Sequence, residues 1–519
     1  MNDRHTVKTA RAGGWIGRVE RIGRLIPDPV VIFMFMFVFC LLLTGLLGGT
    51  EFRTFGSEGT EVVYEIRNML AVEEIRWLFD NAILRNWLAF GEGVLGIILV
   101  VMLGVGIAEH SGLLSALIKR IALKIPERWL PLLLVFLGIM SSVAADAGYL
   151  ILIPLAGLLY AGLGKNPLIG MAAAFAGVSA GFSANLFPGT SDDVFLGANA
   201  RAFAESQGVP FTDASGRALT PATMNFFFMF LSALMLSGIG AWVTHRYVAP
   251  YLERRSFVVP DDIRLETFVV TPAERKGLKA ALVGILVALI VVGGLSLGPL
   301  AAYTNDEGER VVPFLNNIIL LIAMVFAIVG IFFGVAGGRF HSAGDVVKAM
   351  VRQMDTMGYI LVLTFFCYNF LGLLSYSGLG AYITYSGAVV LTSLGLHQFP
   401  VLLIVGFVLV TASINIFVAG LNSKWMLLGP IFIPMLYQVN SDMTPDVVTV
   451  AYRIGDSSTN VITPMLVYAG VILAFMRKYK PELGFGDVIA MMLPYSIAFL
   501  IASTLLVVAF FSLGLPFGF

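Results

Sequence analysis

The chain has 519 residues, of which 58% are hydrophobic and 13% charged, and its mean hydropathy is +0.88. Because soluble domains are about 45–50% apolar and about 25% charged, this composition predicts a polytopic membrane protein and argues against a set of soluble domains. The net charge of +0 argues against a nucleic-acid partner. The two cysteines lie far apart in apolar segments, which argues against a disulfide framework.

The N-terminal segments alternate with loops of opposite charge. Residues 1–25 carry six Lys/Arg against two acids, which predicts a cytoplasmic N-terminus under the positive-inside rule. A retained signal-anchor helix is expected to end near Leu47, and the acid-rich residues 51–85 are expected outside. A long helix from Trp87 to Leu117 then returns to the basic loop Lys119–Arg128.

Two short apolar runs, 130–140 and Tyr149–Leu163, flank the sequence SSVAADAG with Asp146 near its centre. Each run is shorter than the roughly 20 residues that a spanning helix needs. We therefore expect a re-entrant hairpin, with an ordinary kinked helix pair as the alternative, and Asp146 is either a coupling site or a cap. From Pro167 to Gly197 the sequence AGVSAGFSANLFPGTSDD predicts a helix broken partway across the membrane.

The middle of the chain is expected to contain a polar outer loop at 198–222 and then simple spans. The predicted spans are Phe226–Tyr247, Leu278–Leu297, Phe314–Val335 and Gly358–Leu374. Residues 376–398 are ambiguous, with an amphipathic connector as one possibility. A second hairpin follows, in which Pro400–Ile416 and Met426–Tyr437 flank the polar tip VAGLNSKW.

A second broken segment, Val447–Met476, and a final span, Met491–Leu515, complete the chain. The fold class predicted is therefore an all-α polytopic membrane protein, with nine transmembrane helices plus two opposed re-entrant hairpins. Residues 1–519 form one integral transport unit, with the N-terminus inside and the C-terminus outside.

The order of these elements contains an inverted repeat. Aligning Pro154 with Pro430 sets DAGYLILIP against NSKWMLLGP, and Ser183–Asn185 (SAN) then corresponds to Ser458–Asn460 (STN). The repeat halves are approximately 87–247 and 358–515, and their hairpins enter from opposite faces. In transporters of this kind the ends of discontinuous helices meet near the midplane and bind substrate and coupling ion.

The most informative stretch is Val450–Pro464, VAYRIGDSSTNVITP. A charged, hydroxyl-rich break inside an apolar run survives in a bilayer only where it lines a protein cavity. Arg453 carries a planar donor fork suited to a carboxylate, and Asp456 is the candidate for ion coordination or proton carriage. The alternative is a structural Arg453–Asp456 pair at i, i+3 spacing.

Several polar side chains near the breaks and tips could supply further oxygen ligands. The candidates for ion coupling are Asp456, Asn415, Asn185, Ser458, Asn460 and Asp146, with a possible Na⁺ at Asp456, Asn415 and Asn460. Their alternative role is to cap helix ends. Trp425 is either an aromatic face for a ligand ring or an interfacial anchor, and Lys424 either snorkels or attracts anions.

At these motifs the chain resembles a known family. AYRIGDSSTNVITPM, NSKWMLLGPIFIPM and AFAGVSAGFSANLFPGTSD are similar to the AbgT family, the p-aminobenzoyl-glutamate transporters. The resemblance implies a homodimeric secondary transporter of the bacterial inner membrane that takes up p-aminobenzoyl-glutamate or exports sulfonamide antimetabolites. It also implies coupling to protons or sodium, a small anionic aromatic substrate and no other cofactor.

The family's functional positions are matched by Asp192, Trp425, Pro445, Arg453, Asp456 and Pro464, together with Asn422 where some members have Ser. Asp193, next to the matched Asp192, is expected to be a solvated neighbour. Pro445 and Pro464 are expected to shape helices.

Other functional classes are less well supported by the residues. The five histidines are scattered without metal-ligand spacing and no Walker A sequence occurs, which argues against an enzyme or an ATP-driven pump. The remaining alternatives are a Na⁺-coupled dicarboxylate or citrate carrier of similar hairpin architecture and a passive channel.

Overall fold

The computed structural model is described here for residues 27, 29–55, 61–90, 94–122, 126–144, 148–253, 255–258, 270–304, 310–311, 313–417, 420–463, 466 and 468–519. Asp146 and Pro464 lie outside these described residues. Among the described helices, five are long and apolar enough to cross a membrane: Val30–Leu47, Phe226–Glu253, Pro272–Leu297, Gly358–Tyr376 and Phe485–Ser512. Other apolar helices are shorter, because turns interrupt them.

The first half of the chain contains α1 (Pro29–Leu47), β1 (Glu51–Phe55), β2 (Glu61–Glu65), α2 (Val72–Asn81), α3 (Val94–Ser111), α4 (Leu113–Ala122), α5 (Leu130–Met140), α6 (Ile153–Gly162), α7 (Pro167–Phe175), α8 (Ser191–Ser206), α9 (Phe226–Val243) and α10 (Ala249–Glu253). Turns of π-helix lie at Leu84–Leu88, Gly148–Leu152, Ala176–Ala180 and Thr244–Val248. β1 and β2 form an antiparallel hairpin.

The second half contains α11 (Pro272–Leu297), β3 (Tyr303–Thr304), β4 (Arg310–Val311), α12 (Pro313–Asn316), α13 (Ile318–Ala336), α14 (Ala343–Thr356), α15 (Gly358–Tyr376), α16 (Leu379–Ser393), α17 (Pro400–Asn415), α18 (Leu421–Val439), α19 (Pro445–Thr459), α20 (Ala469–Arg477) and α21 (Phe485–Ser512). The architecture is therefore helical throughout, with only two short β-hairpins, and the predicted all-α polytopic class is confirmed.

Large apolar side chains stay exposed on the outer helices. On α1, Phe35, Phe39 and Leu46 are 68%, 64% and 83% exposed, and α11 exposes Ile290. In water such surfaces would be unfavourable, but in a bilayer they face hydrocarbon of the same polarity. The backbone polar groups of these helices are satisfied internally, as a lipid environment requires.

Several boundaries differ from the sequence expectation. The predicted helix Trp87–Leu117 is divided at Gly112, whose φ of +84° ends α3 before α4 begins. The prediction of an outer loop over residues 198–222 was wrong at the start of that range, because α8 continues to Ser206. Residues 379–393 form α16, and the amphipathic helix α14 follows α13 without having been predicted.

Two large hydrophobic clusters lie on either side of the broken segments. One contains residues of α8, α18 and the first part of α19, including Phe195, Trp425 and Ile454. The other contains residues of α5, α6, α7 and α20, including Ala184 and Val461. The first broken segment passes from the second cluster to the first, and the second passes in the opposite order, so both polar breaks lie at the boundary between clusters.

Candidate functional site

The second break lies at the end of the polar stretch that the sequence singled out. α19 starts at Pro445, whose fixed φ suits the first helical position, and it runs unbroken to Thr459. Among the described residues, regular helix stops at Asn460 and is next present in α20. Arg453 and Asp456 are therefore helical residues that precede the break, and both are almost fully buried, at 2% and 1% exposure.

The first break is longer and is followed by a capped helix. After the π turn Ala176–Ala180 the chain is irregular until Thr190, which is the N-cap of α8. The Thr190 hydroxyl accepts a hydrogen bond from the Asp193 backbone N–H, and the Asp193 carboxylate accepts one from the Thr190 N–H. This reciprocal capping box fixes the Asp193 side chain at the positive end of the helix.

An ion pair joins the two broken segments. Nη2 of Arg453 lies 2.6 Å from Oδ1 of Asp193 and also donates to the Ser183 carbonyl at 3.0 Å. Asn185 Nδ2 donates to the other carboxylate oxygen of Asp193 at 3.2 Å. The expectation that Asp193 is solvated was wrong, since the residue is 8% exposed, and the alternative Arg453–Asp456 pair does not form.

Asp192, which the resemblance predicted as a site residue, is half-buried beside this pair. It lies within electrostatic range of Arg453, Asp193 and Asp456. Three carboxylates therefore lie close to the Arg453 guanidinium.

A second ion pair joins the first turn of α18 to the last turn of α19. Nζ of Lys424 lies 2.5 Å from Oδ1 of Asp456, and both side chains are 1% exposed. The same ammonium donates to Oδ1 of Asn415. Neither snorkelling nor attraction of free anions describes Lys424, because it is buried at the start of α18 with its charge directed at α17 and α19.

Asn415 connects α17 to the end of α19. Its Nδ2 donates to the Asp456 carbonyl at 2.6 Å, to Thr459 Oγ1 at 2.9 Å and to Asn460 Oδ1 at 2.9 Å. Asn460 in turn donates to the Ser179 carbonyl of the first break at 3.4 Å, and Ser458 is buried beside them. Of the predicted candidates, Asp456, Asn415 and Asn460 are therefore joined in a connected hydrogen-bond network, whereas Asn185 bonds to Asp193 instead.

As arranged, the oxygens of this network do not fit a sodium ion. A hard cation needs several free oxygen ligands. Here Oδ1 of Asn415 accepts from the Lys424 ammonium, and Oδ1 of Asn460 accepts from Asn415. Oδ2 of Asp456 receives no hydrogen bond from the described residues. The ammonium lies where an ion held by Asp456 and Asn415 would have to bind.

Trp425 lies in the protein interior, so it is not an interfacial anchor. Its ring is fully buried, its Nε1 donates to the Leu196 carbonyl at 3.0 Å, and it lies against Tyr452 with ring centroids 4.7 Å apart. Asn422 is half-buried one turn earlier in α18, and its Oδ1 is without a hydrogen-bond partner among the described residues.

A small cavity borders the Arg453–Asp193 pair. Its lining comprises Pro188, Gly189, Asp193, Pro221, Ala222, Met224, Asn225, Phe226 and Arg453. Nε of Arg453, Oδ1 of Asn185 and Oδ1 of Asn225 are buried without a hydrogen-bond partner in the described part of the chain. Unpaired buried polar groups are rare and costly, and two of these three atoms belong to residues that line the cavity, Arg453 and Asn225. The cavity itself has room for about one water molecule.

Comparison with known proteins identifies relatives over nearly the whole chain. The family model described as "AbgT putative transporter family" matches residues 14–519. The p-aminobenzoyl-glutamate transport protein of Escherichia coli strain K12 is 30% identical over 520 residues, covering 98% of this chain and 97% of that protein.

Two solved structures share the fold. The Alcanivorax borkumensis YdaH transporter, whose topology is called unusual, has a TM-score of 0.84 at 33% identity and covers 95% of this chain and 100% of its own. Neisseria gonorrhoeae MtrF, described with a class of antimetabolite efflux pumps, has a TM-score of 0.83 at 33% identity and covers 95% and 97%.

Proposed function

The chain belongs to the AbgT family of membrane transporters, and from this membership we propose that it is a secondary active transporter of p-aminobenzoyl-glutamate-type folate catabolites and of sulfonamide antimetabolites. A proton or sodium gradient drives the transport. The protein is a homodimer in the bacterial inner membrane, with its N-terminus in the cytoplasm and its C-terminus in the periplasm.

The proposal rests on the hydrogen bonding of the Arg453 guanidinium. One guanidinium nitrogen is paired with Asp193, while Nε has no hydrogen-bond partner among the described residues and the group borders a small cavity. A guanidinium binds a planar carboxylate through two parallel hydrogen bonds. A substrate carboxylate that reaches Arg453 thus competes with Asp193, and its arrival releases the contact between the two broken segments.

This exchange of Asp193 for a substrate carboxylate at Arg453 gives a physical basis for a transport cycle. Asp193 and Ser183 belong to the first break and Arg453 to the second, so Arg453 joins the two halves when it is unliganded. An anion that takes over the guanidinium changes the balance between states in which the halves are joined or separated. A ligand shifts such an equilibrium only by its difference in affinity for the two states, and this contact supplies that difference.

The proposal is tested by counterflow in proteoliposomes. Vesicles loaded with unlabelled p-aminobenzoyl-glutamate are expected to accumulate the labelled compound, with no comparable counterflow of labelled succinate or citrate. Imposed pH and Na⁺ gradients, applied separately, are expected to drive net uptake of p-aminobenzoyl-glutamate or of a sulfonamide. Exchange of succinate alone would indicate the dicarboxylate carrier, and flux that never accumulates substrate would indicate a channel.

A further inference from the structure

Lys424 is a buried cation with a fixed position between two polar elements. It lies at the start of α18, its side chain is 1% exposed, and its ammonium contacts Asp456 Oδ1 at 2.5 Å and Asn415 Oδ1. Removing an ammonium from water costs several kcal/mol, which only a well-placed carboxylate and further acceptors offset. An apolar residue would fill this space at a lower cost in solvation.

The oxygens that hold Lys424 are those predicted to hold sodium. Asp456 and Asn415 supply its acceptors, and Asn460 is joined to them through the Asn415 amide. A sodium ion at this place would meet an ammonium within a few ångströms, and two such charges repel strongly at low dielectric. The ion and the ammonium thus compete for the same oxygens.

We infer that the Lys424 ammonium is a tethered cation which fills the position of a coupling sodium ion and makes this position unavailable to Na⁺ in the wild-type protein. Loss of the ammonium leaves the buried Asp456 carboxylate without its counter-charge. A small alkali cation then has both the space and the oxygen ligands to replace it. The inference deepens the proposed transport function, but its test measures ion binding and needs no substrate.

The experiment is thermal unfolding of purified protein in detergent, with NaCl replacing choline chloride at constant ionic strength. The wild-type melting temperature is expected to be the same in both salts. The Lys424→Met variant keeps the side-chain length without the charge and is expected to gain a saturable upward shift of about 2 °C or more, since a ligand that binds only the native state raises its stability.

Two further variants serve as controls. Lys424→Arg keeps a cation and is expected to show no Na⁺ response, and Lys424→Met combined with Asp456→Asn is expected to lose the response of the single variant. The inference is overturned if wild-type protein shows a saturable Na⁺ shift that Asp456→Asn removes. It is also overturned if folded Lys424→Met responds no more than wild type.

If Lys424→Met does not fold in choline chloride, refolding in NaCl takes the place of the shift. Recovery of a cooperative transition in NaCl supports the inference. If the variant folds in neither salt, Lys424→Gln, which retains a polar head, is measured instead. A saturable Na⁺ shift, or recovery of folding in NaCl, supports the inference, and a response no larger than that of wild type overturns it.

Discussion

The two broken segments place their charged residues on opposite sides of the break. Asp192 and Asp193 follow the first break, in the first turn of α8, whereas Asp456 precedes the second break, in the last turn of α19. A helix carries about half a positive charge at its N-terminus and half a negative charge at its C-terminus. The dipole of α8 therefore stabilises the ionised Asp193 carboxylate, whereas the dipole of α19 destabilises the ionised Asp456 carboxylate.

The carboxylates of Asp193 and Asp456 also differ in their hydrogen-bond partners. The Asp193 carboxylate accepts from Arg453, Asn185, the Thr190 hydroxyl and the Thr190 N–H. The Asp456 carboxylate has one cation, Lys424, and its Oδ2 receives no hydrogen bond from the described residues. The first acid thus keeps three further donors when Arg453 turns to a substrate, while the second depends on a single cation.

The largest effect is expected when the charges of the second break are deleted. Arg453→Ala removes the group proposed to bind the substrate carboxylate, and Asp456→Ala removes the carboxylate proposed for coupling. Each is expected to reduce gradient-driven p-aminobenzoyl-glutamate flux to the level of protein-free liposomes. Arg201→Ala is the matched control, because Arg201 forms an exposed i, i+4 pair with Glu205 in α8. Normal flux in both test variants would refute the assignment of the site.

Loss of the single partner of Asp456 is expected to cost more stability than any change at Asp193. Lys424→Met leaves a buried carboxylate unpaired, which lowers the free energy of unfolding by about 3–5 kcal/mol. Adding Asp456→Asn is expected to restore most of that loss. Thermal unfolding in Na⁺-free buffer measures both, and equal effects in the single and double variants would show that the two residues are not coupled.

A smaller effect is expected at Asp193. Asp193→Asn keeps an oxygen for the Thr190 donors but removes the charge paired with the buried Arg453, while Asp192 stays within electrostatic range of the guanidinium. Because a second carboxylate remains, the expected cost is smaller than for Lys424→Met, about 2 kcal/mol, the value of a hydrogen bond to a charged group. The same unfolding assay compares it with Lys424→Met. The contrast between the two carboxylates fails if Asp193→Asn is the more destabilising of the pair.

The smallest effect is expected at Trp425. Trp425→Phe retains an aromatic ring against Tyr452 but removes the hydrogen bond from Nε1 to the Leu196 carbonyl, which costs about 1 kcal/mol. If the indole serves packing in α18, flux changes little while the melting temperature falls. A large loss of flux at unchanged stability would instead assign Trp425 to the substrate.

The sequence predicted the polar breaks and the order of elements around them, because charge and hydroxyl groups in apolar runs are local signals. It did not predict which charges pair. Lys424 and Asp456 are 32 positions apart, and their contact depends on how α18 packs against α19, which no local pattern encodes.

The sequence around Asp193 contains a helix-capping signal that the expectation of a solvated side chain did not take into account. Thr190-Ser191-Asp192-Asp193 has the spacing of a capping box, in which the acid three residues after Thr turns back to the helix start. That spacing predicts that Asp193 is held at the break while Asp192 projects about 100° away around the helix. The pairing with Arg453 adds tertiary information to this local rule.

The most direct test of the account is equilibrium binding of labelled p-aminobenzoyl-glutamate to purified protein. Wild type is expected to bind, Arg453→Ala is expected to show no measurable binding, and Asp193→Asn is expected to bind more tightly because the internal competitor for the guanidinium has lost its charge. Wild-type affinity in Arg453→Ala would contradict the claim that Arg453 is the anion-binding group of this transporter.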